Sequence, residues 1–71
     1  MNKYLIVMER TATGYGAYVP DLPGCVTTGL TPEEIRANLR EAIELHVEGL
    51  REEGLPVPEP ASEGDYVSVS V

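Results

Sequence analysis

The segment Pro20–Gly24 constrains the fold more than any other part of the chain. Its two prolines have fixed φ angles, and Gly24 is free to take a positive φ. Asp21 is predicted to close an Asx-type turn with its carboxylate. The flanking runs, Tyr15–Val19 and Cys25–Thr28, are rich in residues that favour strands. We therefore predict a rigid corner that joins two β-strands.

A helix start follows shortly after this corner. Thr31 suits the N-cap, Pro32 suits the first helical position, and Glu34 can complete a capping box. Apolar residues then recur at helical spacing as far as about Glu53, and Gly54 is placed to end the helix. The predicted core-facing side comprises Ile35, Leu39, Ala42, Ile43, His46, Val47 and Leu50.

Two further strands complete the predicted topology. Lys3–Glu9 is apolar on both faces, which favours a central strand that is covered on both sides. Asp65–Val71 alternates valine with serine, so its valines are predicted to face inwards. The order β-β-β-α-β indicates an α+β domain. Its parts are a three-stranded antiparallel meander, a crossover helix and a fourth strand that pairs parallel to the first.

Length and charge narrow the functions that such a domain can have. A chain of 71 residues supports one small domain, and its single cysteine excludes an internal disulfide, so we expect a homo-oligomer to supply the missing burial. The formal net charge of −7 opposes nucleic-acid binding and favours a basic protein partner. The alternative interpretation is that the acidic excess only keeps the protein soluble. The acidic side chains that would face a basic partner are spread over Glu33, Glu34, Glu41, Glu48, Glu52, Glu53 and Glu59.

The sequence shows no sign of targeting to a membrane or of secretion. The first residues lack the apolar core of a signal peptide, and no apolar run approaches the roughly 20 residues of a membrane span. We therefore expect a cytoplasmic protein with a reduced cysteine.

Several motifs together resemble the HicB-like antitoxin family. In chain order they are the N-terminal strand Tyr4–Glu9, the strand Tyr15–Val19, the corner Pro20–Cys25, the link Thr28–Thr31, the helix start Pro32–Glu34 and the helix end Gly54–Pro58. The resemblance implies a partial RNase H-like fold and assembly as dimers or tetramers. It also implies an antitoxin that neutralises a basic HicA-type mRNA-cleaving toxin by stoichiometric masking.

The resemblance does not establish whether this chain has a toxin as its partner. Many members of the family carry a C-terminal DNA-binding domain, whereas residues 1–71 are expected to form a single domain without one. The alternative is an orphan oligomeric scaffold or a small-ligand-binding module without a toxin. A short basic chain in the neighbouring reading frame would favour the antitoxin.

The candidate functional residues point to binding rather than catalysis. Tyr18, Asp21, Leu22, Glu33 and Glu34 are predicted to contribute to a partner or oligomer interface. We predict no cofactor, no metal and no enzymatic activity.

Catalytic alternatives have weak support in the sequence. Cys25 is expected to be structural, because the only available base, His46, lies on the apolar face of the helix. A degenerate nuclease would need Glu9 and Asp65 to hold metal ions together with Glu44 or Glu48. The first strand carries no acidic residue at its centre, which disfavours that activity.

Overall fold

The computed structural model describes residues 2–71 and confirms the predicted order of three strands and a helix. Strand β1 spans Val7–Arg10, β2 spans Tyr15–Tyr18, β3 spans Val26–Gly29 and helix α1 spans Pro32–Glu52. The strands form one antiparallel sheet in the order β1-β2-β3, and α1 packs on β2 and β3. The chain is therefore an α+β protein.

The corner between β2 and β3 is closed by its own backbone. The Val19 N–H donates to the Cys25 carbonyl at 3.1 Å, and the Leu22 N–H donates to the Val19 carbonyl at 3.1 Å. The Cys25 N–H donates in turn to the Leu22 carbonyl at 3.0 Å. Gly24 has a φ of 86°, a conformation that glycine adopts without strain. The predicted corner is confirmed, and it turns Leu22 into the core.

The core lies between the sheet and the first half of α1. It comprises six buried side chains: Ala17, Val19, Leu22, Cys25, Ile35 and Leu39. Tyr4, Ile6, Tyr15, Ala42, Ile43 and Val47 are partly buried and pack around it. The predicted core-facing side of the helix is confirmed, although only Ile35 and Leu39 on that side are fully buried.

Both ends of α1 are capped as the sequence predicts. At the start, the Thr31 hydroxyl accepts a hydrogen bond from the Glu34 N–H at 3.1 Å. The Glu34 carboxylate accepts from the Leu30 N–H at 3.5 Å, one residue before the N-cap. At the end, Gly54 has a φ of 70°, and the Leu55 N–H donates to the Leu50 carbonyl at 2.9 Å, as in a Schellman motif.

Two expectations about the strands are wrong. Strand β1 lies at an edge of the sheet described for residues 2–71, not at its centre. Residues 65–71 form no fourth strand, and the side chains of Val67 and Val69 are exposed instead of facing inwards. Alternation of apolar and polar residues shows that a segment is able to form a strand. The strand forms only when the edge of a sheet pairs with the segment.

Replacing Leu39 by alanine tests the importance of the small core. Leu39 is 1% exposed, so Leu39→Ala should lower the free energy of unfolding by roughly 2–5 kcal/mol. Leu45 lies on the same helix and is 63% exposed, so Leu45→Ala should change it by no more than about 0.5 kcal/mol. Urea denaturation followed by circular dichroism measures both. Equal effects of the two substitutions would contradict the described core.

Candidate partner-binding surface

Asp21 ties the corner to the segment that follows the helix. Its Oδ2 atom accepts hydrogen bonds from the Ala61 and Ser62 N–H groups, both at 2.9 Å. Its Oδ1 atom accepts one from the Ser62 hydroxyl at 2.8 Å. The predicted Asx-type turn is wrong, because the residue two positions on is Pro23, which has no backbone N–H to donate.

These hydrogen bonds lower the pKa of Asp21. The largest contribution comes from the Ser62 N–H, followed by the Ala61 N–H and the Ser62 hydroxyl, and burial opposes them. Each donor stabilises the ionised carboxylate more than the protonated carboxylic acid. The charged form of Asp21 is therefore the form that holds residues 61 and 62 in place.

A second contact fixes the same segment, residues 55–64, which we call the connector. The Tyr4 hydroxyl donates a hydrogen bond to the Pro58 carbonyl at 2.6 Å. Tyr4 precedes β1 and also packs against the core. The connector is thus attached to the corner through Asp21 and to the N-terminal segment through Tyr4.

Tyr18 lies on the face of the sheet away from α1. Tyr15, three residues earlier on the same strand, packs against the core, because residues an odd number of positions apart lie on opposite faces of a strand. Tyr18 is 41% exposed and lies opposite Val26, which is 64% exposed, and opposite Val7 on the other side. Directly paired residues share a face, so these three side chains form an apolar patch that we call the open sheet face.

The five predicted interface residues do not form one surface. Tyr18 lies on the open sheet face, whereas Glu33 and Glu34 are exposed in the first turn of α1. Asp21 is engaged by the connector. Leu22 is fully buried and offers no surface to a partner, because the corner directs it into the core.

Cys25 is buried, as the sequence predicts. Its burial raises the pKa of the thiol, so the sulfur remains protonated at neutral pH and is a poor nucleophile. His46 is half-buried on the core-facing side of α1.

The acidic residues considered for a nuclease do not form a metal site. Within residues 2–71, no three side chains of His, Cys, Asp or Glu lie close enough together to hold a metal ion. In the same part of the chain, no helix combines the length and apolar character needed to cross a membrane.

A groove of about 720 Å³ runs between the N-terminal segment and the second half of α1. Half-buried apolar side chains line it, and a row of exposed glutamates follows its length at intervals of four residues. We call it the acidic groove, with Tyr4, Ile43 and Val47 as its apolar lining and Glu44, Glu48 and Glu52 as its acidic row; Asn2 and Arg51 complete the lining. The glutamate spacing is visible in the sequence, but the groove exists only because Tyr4 lies beside the helix.

The acidic row brings like charges together within α1, and only part of their repulsion is offset by Arg40, four residues before Glu44, and by Arg51, three residues after Glu48. Like charges four residues apart destabilise a helix by roughly 0.2–0.5 kcal/mol per pair. Glu48 and Glu52 also lie towards the negative end of the helix dipole, where Arg51 is the basic residue of the last turn. A cationic partner in the acidic groove would relieve this repulsion.

The family model for HicB-like antitoxins of bacterial toxin-antitoxin systems matches residues 4–69. The chain therefore belongs to the HicB-like antitoxin family, and the resemblance seen in the sequence is confirmed.

Similar curated proteins include one from a phage and one from an archaeon. A phage HP1 protein of Haemophilus, an uncharacterized 14.9 kDa protein, is 37% identical over 65 residues, which are 92% of this chain and 49% of the phage protein. This chain thus spans about half the length of that relative. A UPF0150 protein of Thermoplasma acidophilum is 36% identical over 62 residues, 86% of this chain and 90% of its own length.

Two solved structures share the fold. The structure described as a HicA3 and HicB3 toxin-antitoxin complex matches with a TM-score of 0.73 and 38% identity, covering 84% of this chain and 70% of that one. The crystal structure of the antitoxin HicB3 matches with a TM-score of 0.71 and 38% identity, covering 84% of this chain and 44% of the HicB3 chain.

The lowered pKa of Asp21 makes stability depend on pH. Its contribution is present above the pKa of about 3.9 in the unfolded chain and is lost as the pH falls through the lower folded pKa. Asp21→Asn should therefore be less stable than the wild type at neutral pH. It should also lose less stability on acidification below about pH 4. Urea midpoints measured from neutral to acidic pH test both expectations.

Glu59→Gln is the matched control for Asp21→Asn. Glu59 is an exposed carboxylate on the same connector, so its replacement removes the same charge without disturbing the Asp21 contacts. The control should follow the wild-type pH profile. An Asp21→Asn variant that did the same would show that Asp21 does not hold the connector.

Proposed function

We propose that this chain is an antitoxin that binds a basic HicA-type toxin and masks it stoichiometrically, without catalysis of its own. Membership of the HicB-like family supports the proposal, as does the likeness to the HicA3 and HicB3 complex at 38% identity. The observation that carries it is the acidic groove, in which three exposed carboxylates outnumber one arginine beside an apolar lining.

Masking follows because the antitoxin and RNA compete for the same basic surface of the toxin. A toxin that cleaves mRNA must bind phosphates, so its RNA-binding surface is basic. A chain with a net charge of −7 presents carboxylates in place of phosphates and occupies that surface. One bound antitoxin then excludes RNA from one toxin, and no chemical step is needed.

The acidic groove offers two kinds of contact to such a toxin. Tyr4, Ile43 and Val47 provide an apolar surface against which an aliphatic side chain of the toxin packs. The exposed carboxylates of the acidic row face lysine or arginine side chains beside it. Apolar packing holds the complex together, while the charges accelerate the encounter and select a basic partner.

Removing two charges from the acidic row tests the proposal. Glu44→Gln/Glu48→Gln should slow association with the toxin by about tenfold and weaken its dependence on salt, because steering by charge is lost. The isolated variant should differ little in stability from the wild type, because the repulsion between Glu44 and Glu48 and the favourable pairs with Arg40 and Arg51 are lost together. Biolayer interferometry at low and high ionic strength, with a basic HicA-type toxin as the partner, measures the rates.

Glu33→Gln/Glu41→Gln is the matched control, since it removes the same charge from exposed positions of α1 outside the groove and leaves the Glu34 cap intact. It should leave association closer to the wild-type rate. A larger effect of the control would place the toxin on the exposed part of α1 outside the groove. Failure of the wild-type chain to bind the toxin at low salt would overturn the antitoxin proposal itself.

A further inference from the structure

We infer that the partner-binding surface carries two clusters of opposite charge and binds a partner with the complementary charge order. The partner brings cations to the acidic row and, at the same time, a carboxylate to Lys3, Arg36 and Arg40. This inference rests on the proposed function and deepens it, because it concerns how the same surface selects its partner among basic proteins.

A second cleft adjoins the acidic groove. It has a volume of about 580 Å³ and lies between the N-terminal segment and the N-terminal half of α1. The residues that line both clefts are Asn2, Tyr4, Ile43 and Glu44. The two clefts therefore form one continuous surface along the helix.

The second cleft, which we call the basic cleft, has the opposite charge to the acidic groove. Exposed side chains of Lys3, Arg36 and Arg40 line it, with Glu44 at the boundary between the two clefts. The whole sequence contains 5 lysine and arginine residues and has a net charge of −7, yet three of these cations line this one cleft. The positive charge of the chain is thus concentrated beside its most acidic groove.

The change of sign follows a single row of side chains on α1. Arg36 and Arg40 are followed at the same interval of four residues by Glu44, Glu48 and Glu52. Side chains four residues apart form a continuous ridge that runs obliquely to the helix axis. The rise per residue places the midpoint of the two arginines about 15 Å along the axis from Glu48, the middle of the acidic row. A partner on this ridge meets two positive positions and then three negative ones.

The apolar lining connects the two clusters. Ile6 and Ile43 are half-buried in the basic cleft, and Ile43 also lines the acidic groove. A protein surface that covers Ile43 therefore reaches both clusters, whereas a small anion would contact only one. Arginine is well suited to this contact, because its guanidinium donates two parallel N–H groups to a carboxylate.

The basic cleft provides selectivity that the acidic groove alone lacks. A chain with a net charge of −7 attracts any basic protein at long range. A uniformly basic surface, however, would place its own cations against the basic cleft, and that repulsion disfavours the wrong partner. A toxin with a carboxylate about 15 Å from the centre of its basic surface satisfies both clusters, and it does so in one orientation only.

Reversing one charge of the basic cleft tests the inference, with Arg10 as the matched position. Arg40→Glu and Arg10→Glu change the net charge equally, but Arg10 is exposed at the end of β1 and lines neither cleft. Arg40→Glu should raise the dissociation constant for a basic HicA-type toxin about tenfold, because two carboxylates then face each other. Arg10→Glu should leave it unchanged or lower it, because the chain becomes more acidic. Isothermal titration calorimetry measures both constants.

Poly-lysine, a uniform polycation, provides the opposite readout. It should bind Arg40→Glu more tightly than the wild type, because repulsion from the basic cleft is removed. Lys3→Glu should show the same two changes, weaker binding of the toxin and tighter binding of poly-lysine, without any substitution in the helix. Circular dichroism confirms that all variants remain folded.

The possible outcomes separate this inference from the antitoxin proposal. If Arg40→Glu and Lys3→Glu bind the toxin as tightly as Arg10→Glu does, the cations contribute only to the net charge, and the inference is overturned while the antitoxin proposal stands. Equal weakening by Arg10→Glu would also overturn it, because the effect would not be local to the basic cleft. A wild-type chain that does not bind the toxin overturns both.

Discussion

The structure depends on the burial of Leu22 against α1. The corner Pro20–Gly24 turns Leu22 into the core, where it joins Ile35 and Leu39 from the first half of the helix. The core has only six buried side chains, so these three large aliphatic residues supply much of the apolar surface that folding removes from water. A domain with so small a core needs further attachments to hold its remaining segments.

Asp21 and Tyr4 provide these attachments, and both shape the candidate binding surfaces. Asp21 lies beside Leu22 in the corner but bonds to Ser62, so one short motif fixes the core and the end of the connector together. Tyr4 bonds to the Pro58 carbonyl and forms part of the acidic groove. The path of the connector is thus linked through Tyr4 to the groove, and through Asp21 it sets where residues 65–71 leave the domain.

The surface proposed for binding combines apolar and charged side chains. Tyr4, Ile43 and Val47 form its apolar lining, and Glu44, Glu48 and Glu52 outnumber Arg51 beside them. Apolar burial stabilises a complex, whereas the carboxylates select a basic partner, so the two contributions are separable by their dependence on salt.

Residues close together in the sequence determined the local structure of this protein. Prolines and glycine set the corner, Thr31 and Gly54 set the helix ends, and apolar spacing set the buried side of α1, since each signal acts through bonds within a few residues. The family followed from the same motifs.

Contacts between distant residues were decided only by the tertiary structure. Sequence reasoning placed the Asp21 carboxylate in a local turn and paired the Val67 segment with the first strand. The fold instead bonds Asp21 to Ser62 and leaves Val67 exposed. The reason is physical: a carboxylate or a strand edge takes whichever partner the folded chain brings within reach, and alternation or charge alone does not specify that partner.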